Sequence, residues 1–223
     1  MATKNVEAPE MQFGSPAYFG KVRYTPQKAE DYQRRAPRRH KSEMRLVESA
    51  FQFVPRGSVL DVPCGGGRIG LWLAQQGYTV TAADLSDAML EITRRKVSLQ
   101  LSPVTVERQD VEGLRYEAKS FDAVISFRLF HHFPNTDIRA RVVGELCRVA
   151  RRHVLLSYFH PWSTASLKRR AEIFFFGGAA KKHPTSLREV RGYFQAHGFQ
   201  LVRDFAQTPF FHTLHLAVFE RVG

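Results

Sequence analysis

Residues 58–68 read SVLDVPCGGGR, an apolar run that passes directly into a glycine-rich turn. The run at 58–62 is typical of a buried β-strand, and helical spacing begins at Arg68. Such a turn between a strand and a helix lets backbone amides approach a ligand closely and directs the helix N-terminus toward it. The stretch therefore predicts a site for a nucleotide-like ligand.

Further strands and helices alternate on both sides of this unit. Helical spacing precedes it at 28–53. Strand-like and helical segments follow it at 79–84, 87–98, 104–110, 121–127, 136–149 and 153–159. This alternation predicts a parallel sheet with helices on both faces.

The last part of the chain has a different pattern. Ser186 and Glu189 form a capping box that opens a helix through His197, and Gly198 suits the left-handed position at its end. The runs FQLVRDF and FFHTLHLAVFERV then predict an edge pair of strands, one of them antiparallel. We therefore expect an α/β fold with a doubly wound, mostly parallel seven-stranded sheet and one antiparallel edge strand.

The composition is that of a globular protein with a basic surface. Of 223 residues, 43% are hydrophobic and 24% are charged, which excludes collagen-like, coiled-coil and disordered classes. The net charge is +12, with the excess concentrated at 34–45 and 168–191. That charge favours polyanionic partners such as nucleic acid or an anionic membrane, although solvated helix faces explain the same clusters.

The location of the protein is predicted from what the sequence lacks. No apolar run approaches the ~20 residues that span a bilayer, and the first residues have no signal-peptide pattern. Only two cysteines are present, and nothing indicates an oxidising compartment. We therefore expect a cytoplasmic protein.

The glycine spacing alone leaves two ligand classes open, a dinucleotide and a ligand with a sulfonium-bearing amino acid. Gly65, Gly67 and Gly70 spell GxGxxG, and Asp84 follows Gly65 by 19 residues, as in a dinucleotide site. Asp61, inside the strand end, distinguishes the two classes. A buried aspartate is costly unless it orders the loop or binds a positive group, and a sulfonium-bearing amino acid supplies such a group. An NAD-dependent oxidoreductase leaves Asp61 unexplained.

Four segments in order carry a resemblance to a known family. VLDVPCGGGR, TAADLS, RQDVE and FDAVISFRLFHHF resemble the successive motifs of class I S-adenosylmethionine-dependent methyltransferases, of the broad small-molecule group. The resemblance spans roughly residues 57–160. It implies a Rossmann-like methyltransferase fold and S-adenosyl-L-methionine as cofactor.

The resemblance also implies roles for individual residues. Asp61, Gly65 and Gly67 would surround the methionine part of the cofactor, Asp84 would bind both ribose hydroxyls, and Leu85 would lie against the adenine. The full set of cofactor-binding residues implied is Asp61, Pro63, Cys64, Gly65, Gly67, Arg68, Asp84, Leu85, Met89, Asp110, Val111 and Phe127.

The remaining cofactor-binding residues would contact the adenine or line the cofactor site. Asp110 would take the adenine amino group, Val111 would offer its backbone amide, and Phe127 would line the cofactor. Pro63 departs from the family, which more often has glycine there. Purely structural roles remain as alternatives: Asp84 as a charge at a helix N-terminus, Asp110 as a loop carboxylate, and Gly66 and Gly70 as packing positions.

Methyl transfer from a sulfonium needs alignment and exclusion of water, and it requires no metal or nucleophilic residue. An oxygen acceptor benefits from a general base, for which the candidates are His131 and His132 beyond the fourth strand and His160 beyond the fifth. Tyr158 is a further candidate. Helix capping and packing explain the two adjacent histidines equally well, and a carbon or deprotonated amine acceptor needs no base.

The segments outside the motifs are predicted to cover the substrate. We expect residues 1–55 to form an N-terminal arm with helices, and residues 56–223 to form the core with an insertion at about 161–185. Aromatic and basic residues together suit an anionic amphiphile or aromatic acid, and also a membrane surface. Those residues are Tyr18, Phe19, Arg23, Tyr24, Tyr32, Trp162, Lys168, Arg169, Arg170, Phe174, Phe175 and Phe176.

The function predicted is S-adenosylmethionine-dependent methyl transfer to a small-molecule or lipid-like acceptor. Two alternatives rest on the basic charge: an RNA methyltransferase, and a non-catalytic protein that binds the cofactor and polyanions. No RNA-binding module is recognisable, which favours the small-molecule acceptor.

Overall fold

The computed structural model describes residues 27, 29–30, 37–161, 182–207 and 214–223. From residue 37 onward, five helices, seven strands and a 3-10 turn make up the described regular structure. In chain order they are α1 (Pro37–Phe51), β1 (Ser58–Asp61), α2 (Arg68–Gln75), β2 (Thr79–Asp84), α3 (Asp87–Leu99), β3 (Val104–Arg108), β4 (Phe121–Ser126), the 3-10 turn (Phe130–His132), α4 (Thr136–Val149), β5 (Ala150–Phe159), α5 (Leu187–Gln195), β6 (Phe199–Ala206) and β7 (Leu214–Arg221).

The strands form one sheet in the order β3-β2-β1-β4-β5-β7-β6. Strands β1 to β5 are parallel, and β7 is antiparallel to both β5 and β6. The predicted seven-stranded sheet is confirmed, with the antiparallel strand β7 lying one position inside the edge strand β6. Strand order reverses between β1 and β4, and ligands bind at such a switch point outside the carboxyl ends of the strands.

Two hydrophobic clusters cover the two faces of the sheet. On one face Leu60 and Val124 lie in one cluster with Leu146 of α4 and Phe194 of α5. On the other face Val59 lies in a cluster that includes side chains of α1 and α2. Alternate residues of each strand therefore face opposite helical layers, which is why the strands are almost continuously apolar. Helix α1 belongs to the packed core, although it falls in the arm predicted for 1–55.

Predicted helix ends are largely observed. Ser86 Oγ accepts a hydrogen bond from the N–H of Met89, as the predicted cap of α3 requires. Ser186 Oγ accepts from the N–H of Glu189, and Gly198 has φ +74°. The sequence pattern therefore located these helix termini through local hydrogen bonding.

Strand β5 begins earlier than predicted, at Ala150 instead of His153. Arg151 and Arg152 interrupt the apolar pattern there, because both side chains are exposed and pair with carboxylates, Arg151 with Asp122 and Arg152 with Glu220. The strand continues directly from α4, which ends at Val149.

Candidate functional site

The loop after β1 is held in a tight turn by backbone hydrogen bonds, one to β2 and one within the loop. The N–H of Cys64 donates to the carbonyl of Ala83 at 2.8 Å, and the N–H of Gly67 donates to the carbonyl of Cys64 at 3.0 Å. Gly65 and Gly67 have φ of +53° and +75°, in the left-handed region. A Cβ on Gly67 would lie 2.7 Å from Thr93 Cγ2, so this position has room only for glycine. The peptide bond between Val62 and Pro63 is cis.

Asp84, at the end of β2, joins that loop to the next helix. Its Oδ2 accepts from the N–H of Gly65 at 2.9 Å, and its Oδ1 accepts from the N–H of Ser86 at 2.9 Å. Burial raises the pKa of Asp84, and the backbone hydrogen bonds oppose that shift. A carboxylate has about four lone-pair sites, so Asp84 can accept a hydrogen bond from a further donor. Both the structural and the ligand-binding role foreseen for Asp84 are therefore compatible with its geometry.

Asp61, at the end of β1, is fully buried. Its Oδ2 accepts from the N–H of Gly70 at 3.1 Å, whereas its Oδ1 has no hydrogen-bond partner within the described part of the chain. Burial raises the pKa of Asp61 to about 7, against the opposing effects of the Gly70 amide and of Arg68. A buried oxygen without a donor is costly, so the site fits a ligand that brings a donor or a positive charge.

A small open cleft, with a volume of about 60 Å³, lies beside the loop. Its walls include His40, Gly65, Arg68, Phe127 and Arg128. The guanidinium of Arg68 lies 5.6 Å from the ring centroid of Phe127. The cleft thus combines an aromatic surface with positive charge, and the cofactor-binding roles of Phe127 and Arg68 stay predictions.

Glu43 of α1 joins both arginines of the cleft. Its buried carboxylate accepts from Arg68 and, through the other oxygen, from Arg128. Sequence reasoning did not identify Glu43 or Arg128, because their pairing joins residues 85 positions apart. The available signal was that Glu43 is the only acidic residue within the basic stretch at 34–45.

The predicted adenine contacts lie in a turn after β3. Asp110 Oδ1 accepts from the N–H of Glu112 at 3.0 Å, and its carbonyl accepts from the N–H of Gly113. Val111 is buried, and Leu85 is half-buried after β2. Met89 is buried in a small cluster with Ala29 and Ile92. Part of the Asp110 carboxylate therefore stabilises its own turn.

The predicted histidines occupy different environments. His131 is fully buried, and its ring stacks on Phe159 at 3.8 Å between centroids. The ring of His132 lies 4.1 Å from that of His131. His160 is half-buried and stacks on His215 at 5.0 Å. Their roles as bases stay predictions, and the packing of His131 leaves it no exposed surface.

Tyr158 lies on the opposite face of β5 from Phe159, and its hydroxyl donates to Asp204 at 3.0 Å. In the described ranges, no three His, Cys, Asp or Glu side chains form a metal-binding group, and no helix is long and apolar enough to cross a membrane. The predicted cover residues Tyr18, Phe19, Arg23, Tyr24 and Tyr32, and those at 162–181, lie outside the described residues.

Comparisons with known proteins agree with this arrangement. Residues 59–153 match a family model described as a methyltransferase domain. A ubiquinone biosynthesis O-methyltransferase of Coxiella burnetii is 34% identical over 93 residues, which are 41% of this chain and 40% of that protein. The chloroplastic magnesium protoporphyrin IX methyltransferase of Arabidopsis thaliana is 28% identical over 118 residues, 52% of this chain and 38% of that protein. The chain thus matches about two fifths of the length of these relatives.

Solved structures share the fold. A magnesium protoporphyrin IX methyltransferase from Synechocystis PCC 6803 with bound SAH superimposes with a TM-score of 0.70 and 21% identity, covering 82% of this chain and 83% of that one. An S-adenosylmethionine-dependent methyltransferase from Mesorhizobium loti superimposes with a TM-score of 0.62 and 19% identity, covering 81% of this chain and 98% of that one. Residues 59–153 of this chain thus match the model of a methyltransferase domain, and the seven-stranded sheet has the fold of the S-adenosylmethionine-dependent methyltransferases named above.

Proposed function

We propose that this protein transfers the methyl group of S-adenosylmethionine to an oxygen atom of a small-molecule acceptor. The observation that carries the proposal is the pair of buried carboxylates at the ends of adjacent strands. Asp61 keeps an oxygen without a partner among the described residues, and Asp84 holds the glycine-rich loop through Gly65. S-adenosylmethionine carries an ammonium and a sulfonium group in its amino-acid part, and both suit a carboxylate at the position of Asp61.

The residues of the glycine-rich loop would bind the cofactor and would take no chemical part in the transfer. Bound S-adenosylmethionine supplies a methyl group that is already activated by a positively charged sulfur. Asp61 offers a carboxylate to the amino-acid part, and Asp84 offers one to the ribose hydroxyls. Phe127 lines the cleft with an apolar ring, which disfavours water beside the reacting groups.

The acceptor is inferred from the cleft and from the relatives. Arg68 and Arg128 share the single carboxylate of Glu43, so the three side chains leave one positive charge at the cleft. This charge suits an acceptor with an anionic group, which agrees with the aromatic acid or amphiphile predicted from sequence. The related proteins named above include an O-methyltransferase, which supports oxygen as the acceptor atom. The N-terminal arm and the insertion at about 161–185 remain the proposed substrate cover.

The test is a transfer experiment with methyl-labelled S-adenosylmethionine and a cell extract. Purified protein is incubated with both, and the products are separated into organic-soluble, water-soluble small-molecule, RNA and protein fractions. We expect label in a small-molecule or organic-soluble fraction. Label that ribonuclease removes would instead assign the basic surface to an RNA acceptor, and no label in any fraction would contradict methyl transfer.

A further inference from the structure

The buried stripe of helix α1 continues into the cleft beside the glycine-rich loop. Glu43, Val47 and Ala50 are almost fully buried and recur at intervals of four and three residues, so they share one face of the helix. His40 precedes Glu43 by three residues and lies on the same face, about 4.5 Å further along the helix axis. The side chain of His40 is half-buried and lines the cleft. The stripe therefore ends with an imidazole at the site.

The ion pairs of Glu43 locate this end of α1 relative to the sheet. Arg68 is the first residue of the helix that follows the glycine-rich loop, and Arg128 follows the end of β4. Both guanidiniums pair with Glu43. Because β1 and β4 are adjacent parallel strands, Glu43 and His40 lie at the carboxyl ends of these strands. Ligands bind at this edge of an open α/β sheet.

His40 shares the cleft with residues that are proposed to contact the cofactor. The cleft has a volume of about 60 Å³, and its walls also include Gly65 and Phe127. A space of this size holds only a few non-hydrogen atoms. A hydroxyl group that enters it therefore lies close to the imidazole and to the cofactor-binding loop. Methyl transfer with removal of the hydroxyl proton requires both contacts.

Among the described residues of the cleft wall, only His40 can accept a proton near neutral pH. An arginine guanidinium does not release its proton in this range, which excludes Arg68 and Arg128 as bases. Burial raises the pKa of the Cys64 thiol well above its usual value, so this thiol keeps its proton. The other described wall residues have no titratable side chain: Pro63, Gly65, Gly66, Ile69 and Phe127.

The surroundings of His40 keep its imidazole in the neutral form, which is the form that accepts a proton. Burial lowers the pKa of His40. The positive charges of Arg68, Arg128 and Lys96 lower this pKa further. The carboxylate of Glu43 has the opposite effect on the pKa. These four charged groups face His40 from α1, α2, α3 and the segment after β4.

We propose that His40 is the catalytic base that removes the proton of the acceptor hydroxyl during methyl transfer. The assignment rests on the proposed function. The hydroxyl proton passes to a ring nitrogen of His40, and the acceptor oxygen forms a bond to the methyl carbon. The carbon–sulfur bond breaks and its electron pair stays on sulfur, which gives a neutral thioether. The imidazolium then returns its proton to water.

His153 of β5 provides a matched control. Burial lowers the pKa of His153, as it does for His40, so both imidazoles have the same charge near neutral pH. His153 pairs in register with Ala123, which precedes Phe127 by four residues, or about 13 Å of strand. The control therefore lies well below the cleft. A histidine that only supports the fold should have the same effect on transfer in both places.

The experiment compares His40→Gln and His153→Gln with the wild-type protein. Transfer is measured from pH 5 to 10, and the acceptor is the extract fraction that takes up label from S-adenosylmethionine. We expect His40→Gln to lower the rate by about 10²- to 10⁴-fold near neutral pH. The remaining rate of this variant should rise with pH over the whole range, because hydroxide replaces the imidazole as base. The variant His153→Gln should keep the wild-type rate and pH profile.

A second measurement does not depend on the variant His40→Gln. NMR of the free protein follows the titration of the His40 imidazole, whose midpoint should coincide with the acid midpoint of the wild-type rate at low acceptor concentration. Glu43→Gln removes the carboxylate that raises the pKa of His40. Both midpoints should therefore move together to lower pH in this variant. Midpoints that differ, or that move separately, would overturn the assignment.

Thermal unfolding and S-adenosylhomocysteine binding show whether each variant is folded and loaded. If His40→Gln does not fold, the NMR and rate midpoints decide. Loss of S-adenosylhomocysteine binding in folded His40→Gln would assign His40 to the cofactor and overturn its role as base. A wild-type rate and pH profile in His40→Gln, or an equal loss in His153→Gln, would overturn the assignment alone. Absence of any methylated product with wild-type protein would overturn the proposed function, and this assignment with it.

Discussion

The carboxylate of Asp84 accepts a hydrogen bond from the N–H of Gly65 at 2.9 Å, so the end of β2 holds the loop that follows β1. The carboxyl ends of β1 and β2 are neighbours because the two strands are adjacent and parallel. A side chain 19 residues away in sequence therefore sets the conformation of the turn. The same carboxylate is the group that we propose for the ribose hydroxyls of the cofactor.

Replacement of Asp61 by Asn should stabilise the protein without ligand at pH 8 and weaken binding of the cofactor. The pKa of Asp61 is raised from 3.8 to about 7, so its contribution to stability falls as pH rises through that window and is lowest above pH 7. Relief of the buried charge should gain about 1–3 kcal/mol in the free energy of unfolding. Thermal unfolding of both proteins at pH 4.5 and pH 8 measures the difference, which should nearly vanish at the lower pH.

Asp122→Asn is the control with the opposite sign. Hydrogen bonds from Ser58 and pairing with Arg151 lower the pKa of Asp122, so its contribution is present at pH 8 and is lost on acidification. This variant should therefore be less stable than wild type at pH 8. A loss of stability in Asp61→Asn at pH 8 would contradict the electrostatic account of that residue.

Gly67→Ala should destabilise the protein. The φ of +75° costs an alanine roughly 1–2 kcal/mol, and the added Cβ also meets Thr93. Gly192→Ala is the matched substitution with the opposite expectation, because nothing lies within 4 Å of its Cβ position inside α5. It should gain about 0.5–1 kcal/mol through helix propensity. Urea unfolding measures the change in the free energy of unfolding for each variant. Equal changes in Gly67→Ala and Gly192→Ala would show that the turn does not need glycine.

Glu43→Gln should loosen the cleft and lower stability by about 1–3 kcal/mol, because two arginines lose a charged acceptor. Both guanidiniums are partly exposed, which limits the loss. Glu48→Gln, an exposed position on the same helix, serves as control and should change little. Thermal unfolding measures stability, and S-adenosylhomocysteine binding measures the cleft. Equal melting temperatures for the two variants would argue against the role given to Glu43.

Local patterns in the sequence predicted much of this fold. The β2 bounds, the whole of α4 and the caps of α3 and α5 follow from hydrophobic period and short-range hydrogen bonds. The glycine loop and Asp84 were also accessible, because one motif fixes their spacing. The contacts that join distant segments could not be predicted from the sequence. Glu43 to Arg128 and Asp204 to His215 depend on which helix and strands pack together, and no local pattern carries that information.

Binding of S-adenosylhomocysteine by calorimetry tests the central claim most directly, with wild type, Asp84→Ala and Asp87→Ala compared. Asp87 is an exposed carboxylate three residues further along the chain and serves as control. The account predicts that wild type and Asp87→Ala bind alike, that NAD⁺ does not bind, and that Asp84→Ala loses roughly 1.5–3 kcal/mol. Unchanged affinity in folded Asp84→Ala, or binding of NAD⁺ in place of S-adenosylhomocysteine, would contradict it.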